Sequence, residues 1–600
     1  VNPDKFDRYS LTLNVNTEVN KWFSARGKVM YSNNLTTTPF SFGGTTYDPM
    51  YYLYRWPSQF PYGTYNGLPF RNAITEVEQA KMIEDRNNFA RVSVGGTFNI
   101  IPGLKIDADY TYGGYNQHRN ETGGSVSGID FWSTGAALTY RPYTAAAYDK
   151  VLYYSDWDQS NNGRVVATYQ KNIKDHALKF ILGGEAETYE YNSQTSDRRG
   201  LIDPNKGELG LATGDQFVSG EHGHWATNGA FARINYTFKD KYLFEVTGRY
   251  DGSSRFPAND QYAFFPSVSA GYVISEEKFM DFSKPVLSSL KFRGSWGVVG
   301  HQNVGNAFLS LMSTSNSAWL NGTKNMLGVS APSVVSPSLT WETVTDQNLG
   351  VDARFLDQKL GLSFDWYTRT TSDMISAGVT LPSSFGALAP ARNYGEMQTK
   401  GWELAIDFGH SFSNGLRLNA TGSLSDFTET ITKFANTTKA ITSNYEGKKL
   451  GEVWGYETDR FFTNDDFQQD ATGKLITVNG RYVLKTGIPD QKLYETASFF
   501  FGPGDVKYKD LNGDGVITRG SNTVDDPGDQ RIIGNYTPRY QYGLRLGSDW
   551  EGFDLGIYFQ GVASRELWIH SPATVPGVGP GEGWYANQLD YWTPQNQNAF

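Results

Sequence analysis

Apolar and polar residues alternate with a period of two along much of the chain. In residues 8–16 the odd positions are Tyr9, Leu11, Leu13 and Val15, and the even positions are polar. The same alternation returns at residues 244–251, 362–366, 402–408 and 553–559. Side chains two positions apart lie on the same face of a β-strand, so each segment has one apolar and one polar face. The pattern predicts many antiparallel strands, and no helical segment competes with it.

Short connections between these segments alternate with long ones. Tight turns are predicted at Asn20–Lys21, Pro102–Gly103, Lys174–Asp175, Lys239–Lys241, Leu356–Gln358, Ser413–Gly415 and Glu551–Gly552, with a longer link at Glu276–Ser288. Long loops are predicted at residues 35–87, 119–158, 193–226, 300–342, 374–396 and 434–536. Outer-membrane barrels have short periplasmic turns, long extracellular loops and strands of about 9–11 residues across the lipid. We therefore expect an all-β fold, a transmembrane antiparallel β-barrel, of which this chain supplies about sixteen strands.

Composition excludes several other classes of protein. The chain has no cysteine, which removes disulfide scaffolds and thiolate metal sites. Its net charge is −10, and no basic cluster suggests a nucleic-acid partner. The mean hydropathy of −0.49 resembles that of a soluble protein. It is also compatible with a transmembrane barrel, because only one face of each strand meets lipid.

Several sequence blocks are similar to those of one transporter family. Residues 248–256 read GRYDGSSRF, and residues 264–271 read FFPSVSAG. Further blocks follow at 290–303 (LKFRGSWGVVGHQN), 339–352 (LTWETVTDQNLGVD), 393–404 (NYGEMQTKGWEL), 503–517 (PGDVKYKDLNGDGVI) and 529–543 (DQRIIGNYTPRYQYG). In this order they resemble the SusC-like TonB-dependent outer-membrane transporters.

The resemblance implies a barrel of the 22-stranded type in the bacterial outer membrane, occluded by an N-terminal plug. It further implies energy from the TonB–ExbB–ExbD complex, a SusD-like surface lipoprotein as partner, and import of oligosaccharides or oligopeptides. Val1 already opens on barrel strands, so we expect residues 1–600 to be a partial barrel domain, without the plug and the closing C-terminal strands. The alternatives are a passive pore or a barrel scaffold within a larger surface assembly, and then a soluble multi-blade β enzyme.

The long loop 434–536 contains a turn with the spacing of a cation-binding loop. Asp510, Asn512 and Asp514 supply oxygen donors at positions 1, 3 and 5, a glycine follows at position 6, and the Val516 carbonyl takes position 7. Ser521 stands where an EF-hand has its bidentate glutamate. The predicted structural Ca²⁺ or Mg²⁺ therefore takes its last carboxylate from downstream, from Asp525 or else from Asp526 or Asp529. The alternative is a well-formed Asp/Asn/Gly turn without an ion.

Aromatic residues are dense in the loop at 47–70. We single out Tyr51, Tyr52, Tyr54, Trp56 and Tyr62 as candidates for binding substrate or partner. Flat rings stack on sugar faces and give amphipathic contact area at low entropic cost. The alternative is the interfacial aromatic girdle and ordinary loop packing.

The sequence contains no complete set of catalytic groups. His222 and His224 flank a glycine near Glu221, but no third metal ligand stands at a useful spacing. Neither a nucleophile elbow nor a phosphate-binding loop is present. Charged residues on polar strand faces, such as Glu245, Arg249, Lys291, Arg293, Arg417 and Arg545, are expected to form a wetted or plug-facing wall. The chain is therefore predicted not to be an enzyme, and to need no cofactor for its activity.

Overall fold

The computed structural model describes residues 4–40, 61–123, 126–130, 138–142, 148–203, 205–302, 312, 314–322, 324–332, 334–376, 378, 381–497, 499–569, 585–597 and 599. Among them, no helix is long and apolar enough to cross a membrane. A two-turn helix, α1, spans Ala73–Gln79 and is capped by Asn72, whose side chain accepts a hydrogen bond from the Thr75 amide. Short 3₁₀ helices occur at Leu209–Leu211, Ile274–Glu276, Lys278–Ser283, Ser383–Phe385, Asn464–Asp466, Lys492–Tyr494 and Ala586–Leu589.

Strands make up most of the described chain. The first half contains β1 (Lys5–Asn20), β2 (Phe23–Pro39), β3 (Thr64–Tyr65), β4 (Leu68–Pro69), β5 (Met82–Ile101), β6 (Leu104–Thr122), β7 (Ser127–Asp130), β8 (Thr139–Pro142), β9 (Lys150–Ile173), β10 (His176–Arg199), β11 (Gln216–Phe238), β12 (Tyr242–Ser253), β13 (Tyr262–Val273) and β14 (Leu287–His301). The second half contains β15 (Thr314–Asn321), β16 (Lys324–Val329), β17 (Glu342–Phe355), β18 (Leu360–Ser376), β19 (Arg392–Ser411), β20 (Arg417–Lys433), β21 (Glu452–Tyr456), β22 (Thr458–Phe461), β23 (Thr477–Val478), β24 (Arg481–Tyr482), β25 (Val506–Tyr508), β26 (Gln530–Asn535), β27 (Arg539–Trp550) and β28 (Phe553–Ser564).

Sixteen of these strands form one large antiparallel sheet. Its order is β1-β2-β5-β6-β9-β10-β11-β12-β13-β14-β17-β18-β19-β20-β27-β28, so the strands follow one another as eight successive hairpins. The seven predicted tight turns and the longer link at 276–288 all lie between the two strands of a hairpin. This confirms the predicted antiparallel sheet and the alternation of short turns with long loops.

The register of the sheet matches the alternation in the sequence. Trp366 on β18 lies opposite Trp402 on β19, and Phe364 lies opposite Leu404, whereas Asp365 lies opposite Glu403 between them. A shift by one residue would move every apolar side chain to the polar face, so the pattern fixes the pairing.

The apolar face of the sheet is exposed and the polar face is the more enclosed one. On β12 the apolar side chains of Phe244 and Val246 are 51% and 56% exposed. Thr247, which shares the polar face with Arg249, is only 9% exposed. Full burial of one such apolar side chain is worth about 1.5–3 kcal/mol. A face that leaves many of them exposed along successive strands is suited to lipid rather than to water.

Strand ends are where the sequence-based prediction was wrong. The predicted loop 119–158 is too long at both ends, because β6 continues to Thr122 and β9 already begins at Lys150. Similarly, β10 continues to Arg199 within the predicted loop 193–226. These strands of up to 24 residues are longer than a membrane crossing requires. A further connection, residues 254–261 between β12 and β13, was not predicted as a loop.

By its internal contacts the chain divides into two compact units. The first comprises Val1–Tyr169, Ile181–Ala230 and Ile569–Leu589, and the second comprises Gln170–Phe180, Phe231–Trp568 and Asp590–Phe600. In the first, a small core forms from Phe40, Ala80 and Val126, with Ile83 and Tyr148 packed against it. In the second, three sequence blocks that carry the family resemblance meet at Phe256, Phe265 and Trp341. The Trp341 ring lies 5.2 Å from that of Phe256 and 5.4 Å from that of Phe265.

The long loop is a folded element of the second unit, spanning residues 434–538 between β20 and β27. Strand pairs β21–β26, β22–β25 and β23–β24 organise it. Phe462, Phe467 and Ile517 are fully buried within it, and the Phe462 and Phe467 rings lie 5.3 Å apart. The predicted limits of 434–536 are therefore nearly those observed, but the loop has a core of its own.

Candidate functional site

The turn at 510–516 is held by its own side chains. Both carboxylate oxygens of Asp510 accept backbone amides, from Gly513 at 2.6 Å and from Gly515 at 2.8 Å. Asn512 Oδ1 accepts the Asp514 amide at 3.0 Å, and Asp514 Oδ1 accepts the Val516 amide at 2.8 Å. Gly513 and Gly515 have φ angles of 78° and 82°, which suit glycine. The turn is therefore held by hydrogen bonds from its own backbone amides to its own side-chain oxygens.

Asp529 closes this turn from downstream. It is fully buried, and its Oδ1 accepts the Leu511 amide at 2.8 Å while its Oδ2 accepts the Thr518 amide at 2.7 Å. Asp525 is exposed, and Asp526 accepts the Ser521 amide at 2.8 Å. Of the three downstream carboxylates named from the sequence, it is Asp529 that reaches back to the turn.

Within the described part of the chain, no three His, Cys, Asp or Glu side chains converge as a metal-binding group. A turn of this kind is compatible with a hard cation, because each carboxylate oxygen has a further lone pair. The cation site at Asp510, Asn512, Asp514, Val516 and Asp525 stays a prediction.

Ionised groups fix the rest of the loop around the turn. Arg460 donates to both oxygens of Asp466 at 2.6 Å, and the Thr463 amide donates to Asp466 Oδ2 at 2.8 Å. Burial alone would raise the pKa of Asp466, but these donors outweigh it and hold that pKa below its ordinary value. For Asp505 burial prevails over a hydrogen bond from the Gly502 amide, so its pKa is raised. Two carboxyl groups of one loop are therefore shifted in opposite directions.

The aromatic candidates of the loop at 47–70 lie mostly outside the described residues. This applies to Tyr51, Tyr52, Tyr54 and Trp56. Tyr62 lies within the described residues and is 50% exposed. The burial of the rest of its side chain raises the pKa of its hydroxyl group. Their role in binding substrate or partner stays a prediction.

Arginines cross the polar face of the sheet in three places, each over a glycine. Arg26 on β2 lies opposite Gly95 on β5, which lies opposite Asp109 on β6. Arg26 Nε reaches over the glycine to Asp109 Oδ1 at 2.7 Å. The same order of arginine, glycine and aspartate recurs in two further places. One consists of Arg293 on β14, Gly350 on β17 and Asp365 on β18, and the other of Arg354 on β17, Gly361 on β18 and Asp407 on β19. We call these three groups the cross-strand rungs.

The glycine is required for each rung. Arg293 Nη2 lies 2.6 Å from Asp365 Oδ2, and Arg354 Nη1 lies 2.6 Å from Asp407 Oδ2. A Cβ added at Gly350 would overlap the Arg293 guanidinium, and one at Gly361 would overlap Arg354 and its carboxylate partner. Charges two strands apart are paired only because the middle strand has no side chain.

The charged wall residues named from the sequence are only partly brought together. Glu245, Lys291 and Arg293 line one cavity of about 330 Å³ on the polar face of β12–β14. The others lie elsewhere on polar strand faces: Arg249 is 3.0 Å from Asp251, Arg417 is 3.2 Å from Asp549, and Arg545 is exposed.

A second polar region, in the first unit, combines carboxylates with stacked rings. Tyr189 on β10 and Trp225 on β11 stack with ring centroids 5.5 Å apart. Tyr189 is hydrogen-bonded to Asp158 on β9, and Asp158 lies opposite Tyr115 on β6. We call this region the acidic–aromatic patch; it consists of Asp85, Tyr115, Tyr154, Asp156, Asp158, Tyr189 and Trp225, with Glu187 two residues before Tyr189 on the same face of β10.

The carboxylates of the patch are not paired with basic side chains in the part of the chain that the structure describes. Across the residues described, none of Asp85, Asp156, Asp158 and Glu187 forms an ion pair with lysine or arginine, although Gln117 donates to Asp85 at 2.8 Å. The patch is not evident from the sequence, because its members lie far apart in the chain. A signal was present in the alternation of Tyr154, Asp156 and Asp158, which puts them on one face of a strand.

Comparison with known proteins places the fold. Residues 22–597 match the family "TonB dependent receptor-like, beta-barrel". The chain is 23% identical over 550 residues to TonB-dependent receptor P3 of Formosa agariphila, covering 88% of this chain and 49% of the relative. It is 35% identical over 181 residues to TonB-dependent receptor SusC of Bacteroides thetaiotaomicron, covering 30% of this chain and 18% of the relative.

A solved structure described as the RagAB peptide importer in the closed-closed state superposes with a TM-score of 0.74 at 19% identity. That match covers 100% of this chain and 62% of the other. The chain therefore spans about half the length of the first of these curated relatives. With its sixteen-stranded sheet, its lipid-suited outer face and a family match over nearly its whole length, the chain belongs to the TonB dependent receptor-like, beta-barrel family of outer-membrane proteins and is SusC-like within it.

Proposed function

We propose that the full-length protein imports oligosaccharides across the outer membrane, driven by the TonB–ExbB–ExbD complex and paired with a SusD-like surface lipoprotein. The similarity to SusC and the fold shared with RagAB support a transporter of this kind. The observation that carries the substrate class is the acidic–aromatic patch. Its rings stack on apolar sugar faces, and its carboxylates accept hydrogen bonds from hydroxyl groups.

Basic oligopeptides are the second candidate substrate. The same four carboxylates, without lysine or arginine partners among the described residues, attract cationic side chains as well as hydroxyl groups. RagAB, whose fold this chain shares, is described as a peptide importer. The two candidates differ in charge, so that binding of a basic peptide weakens with salt while binding of a neutral sugar does not.

The test is calorimetric titration of the full-length protein, purified from its native outer membrane with any lipoprotein that accompanies it. Neutral oligosaccharides and Lys/Arg-rich peptides are the two sets of probes. We expect Trp225→Ala to weaken oligosaccharide binding about tenfold, or ~1.4 kcal/mol. Trp157→Ala, on the opposite face of β9, should leave it unchanged. Equal binding by both variants, or tight binding of basic peptides alone, would contradict the oligosaccharide proposal.

A passive pore or scaffold differs in its need for energy. Uptake of the bound oligosaccharide into the periplasm should stop when an uncoupler collapses the proton gradient. Uptake that continues at the same rate would favour the pore.

The loop that holds Asp510 is proposed to take a structural Ca²⁺ or Mg²⁺, which would stiffen the loop on the extracellular side, where the lipoprotein partner is proposed to dock. Asp510, Asn512 and Asp514 would hold the ion through side-chain oxygens, and Val516 through its carbonyl. The added carboxylate would come from downstream, from Asp525 or from Asp529, which already reaches back to the turn. This role is separate from the substrate proposal, because no residue of the turn belongs to the acidic–aromatic patch.

A further inference from the structure

The connection between β13 and β14 differs from the other turns at the same end of the sheet. The other hairpins close with short turns, such as Ser413–Gly415, whereas this one contains the 3₁₀ helix Lys278–Ser283. A 3₁₀ helix has three residues per turn, so residues three apart lie on the same side. Phe279 and Phe282 therefore form one stripe, and Lys278, Asp281 and Lys284 form another.

The apolar stripe of this helix is uncovered. Phe279 is 63% exposed and Phe282 80% exposed, and Val286 just beyond is 61% exposed. On the third side, Met280 and Ser283 are half-buried, and the Ser283 hydroxyl donates to the Met280 carbonyl at 2.7 Å. The two phenylalanines are thus exposed on the same side of the helix.

Glu277 ties the helix to the ends of the neighbouring strands. Its Oε1 accepts a hydrogen bond from the Tyr242 hydroxyl at 2.7 Å, and its Oε2 lies 3.3 Å from Lys241 Nζ. Tyr242 in turn stacks on Tyr272 with ring centroids 5.1 Å apart. The row continues through Phe238, 6.1 Å from Tyr242, to His176, 4.8 Å from Phe238.

Rings in a row at strand ends are typical of the boundary between lipid and water. Beyond this row, the exposed apolar face of the sheet continues along the strands with Phe244, Val268 and Phe292. The 3₁₀ helix, tied to Tyr242 through Glu277, therefore adds exposed apolar side chains next to a face that is suited to lipid.

We propose that residues 278–286 lie in the periplasmic leaflet of the outer membrane as an interfacial anchor. Phe279, Phe282 and Val286 enter the acyl region of phospholipids, and Lys278 extends toward the phosphates, whereas Lys284 is paired with Asp281 at 2.7 Å. The short turns of such barrels are periplasmic, which assigns the leaflet. The anchor fixes the depth of β13 and β14, two strands that line the charged cavity on the polar face.

The test uses spin labels in the full-length protein in nanodiscs of phosphatidylethanolamine and phosphatidylglycerol. This chain contains no cysteine, so a single introduced cysteine gives a single label within it. Phe282→Cys and Val286→Cys probe the anchor, Val246→Cys is the lipid-facing reference, and Asn414→Cys is the aqueous reference in a polar turn at the same end. Heat-modifiable migration confirms that each variant is folded.

Accessibility to oxygen, which partitions into lipid, is compared with accessibility to a water-soluble nickel chelate. We expect the ratio at 282 and 286 to match that at 246 and to exceed that at 414 at least fivefold. A ratio equal to that at 414 would place the segment in water and overturn the proposal. Shielding from both reagents would mean that protein covers the patch, which would overturn it as well.

Discussion

Gly350→Ala tests whether the cross-strand rungs stabilise the sheet. The added methyl group overlaps the guanidinium of Arg293, which must then leave Asp365 on the far strand. An alanine in place of a glycine ordinarily stabilises a compatible backbone position by about 0.4–1 kcal/mol, because it restricts the unfolded chain. The φ angle of Gly350 is not positive, so the backbone itself accepts alanine. At Gly350 the structure instead predicts that alanine lowers the free energy of unfolding.

The magnitude follows from the lost contacts. Arg293 donates to Asp365 through two nitrogens and to Asp352 through its Nε at 3.0 Å. Hydrogen bonds to charged groups are worth about 1.5–3 kcal/mol when shielded. The side chains of Arg293 and Asp365 are 31% and 20% exposed, so solvent screening reduces this value. We expect a net loss of about 1–2 kcal/mol in the free energy of unfolding.

The assay is reversible urea unfolding in detergent, followed by tryptophan fluorescence. Gly409→Ala is the matched control, because a Cβ at Gly409 meets nothing within 4 Å. It should be neutral or slightly stabilising. Arg293→Ala should cost at least as much as Gly350→Ala, because it also removes the hydrogen bonds to Asp352. The double variant should cost little more than Arg293→Ala alone, because the Arg293–Asp365 pair is already lost. A Gly350→Ala protein as stable as the Gly409→Ala protein would refute the role of the glycine.

Four further predictions concern the long loop and are read from hydrogen exchange or proteolysis. Asp529→Ala leaves the buried amides of Leu511 and Thr518 without their acceptor, so segment 510–518 should open roughly 100-fold more often, a cost of about 3 kcal/mol. The control Asp525→Ala should change hydrogen exchange of this segment less than about twofold. The pKa of Asp466 lies below its ordinary value of 3.8. The ionised Asp466 therefore stabilises the folded loop fully above that pH, and this stabilisation is lost as the pH falls through the lowered pKa. We expect pepsin to cleave the loop increasingly below about pH 4. The pKa of Asp505 is raised instead, so ionisation costs stability at neutral pH, and Asp505→Asn should slow exchange there a few-fold. For the cation, about 1 mM Ca²⁺ should slow exchange of the turn, and Asp514→Asn should abolish the effect.

The sheet was predictable because its signals are local. Alternation in segments such as 402–408 specifies a face, and turn residues such as Lys174–Asp175 specify where the chain reverses. Strand ends were not predictable, because β9 and β10 continue where no apolar stripe marks them. Tyr154, Asp156 and Asp158 alternate with other polar or aromatic residues, so the period-two pattern of hydrophobicity disappears although the strand does not.

The candidate site was predictable only where its groups are close in sequence. The spacing of Asp510, Asn512 and Asp514 gave the turn, and the structure has it. The choice among Asp525, Asp526 and Asp529 depends on how the β26 segment returns to the turn, which no spacing in the sequence encodes. The cross-strand rungs have the same origin, since Gly350 matters only because of what lies on the two strands beside it.

Charge on the polar face is balanced in one place and unbalanced in another. Along β14–β19, Asp365 and Asp407 each face an arginine that crosses a neighbouring strand to reach them. In the acidic–aromatic patch, Asp156 and Asp158 stand beside Tyr189 without such a partner among the residues described. Clustered like charges repel, and a paired arrangement is available to this fold, as the rungs demonstrate. The unbalanced charge is what the proposed binding of hydroxyl groups or of cations would offset, and the salt dependence of binding decides between the two.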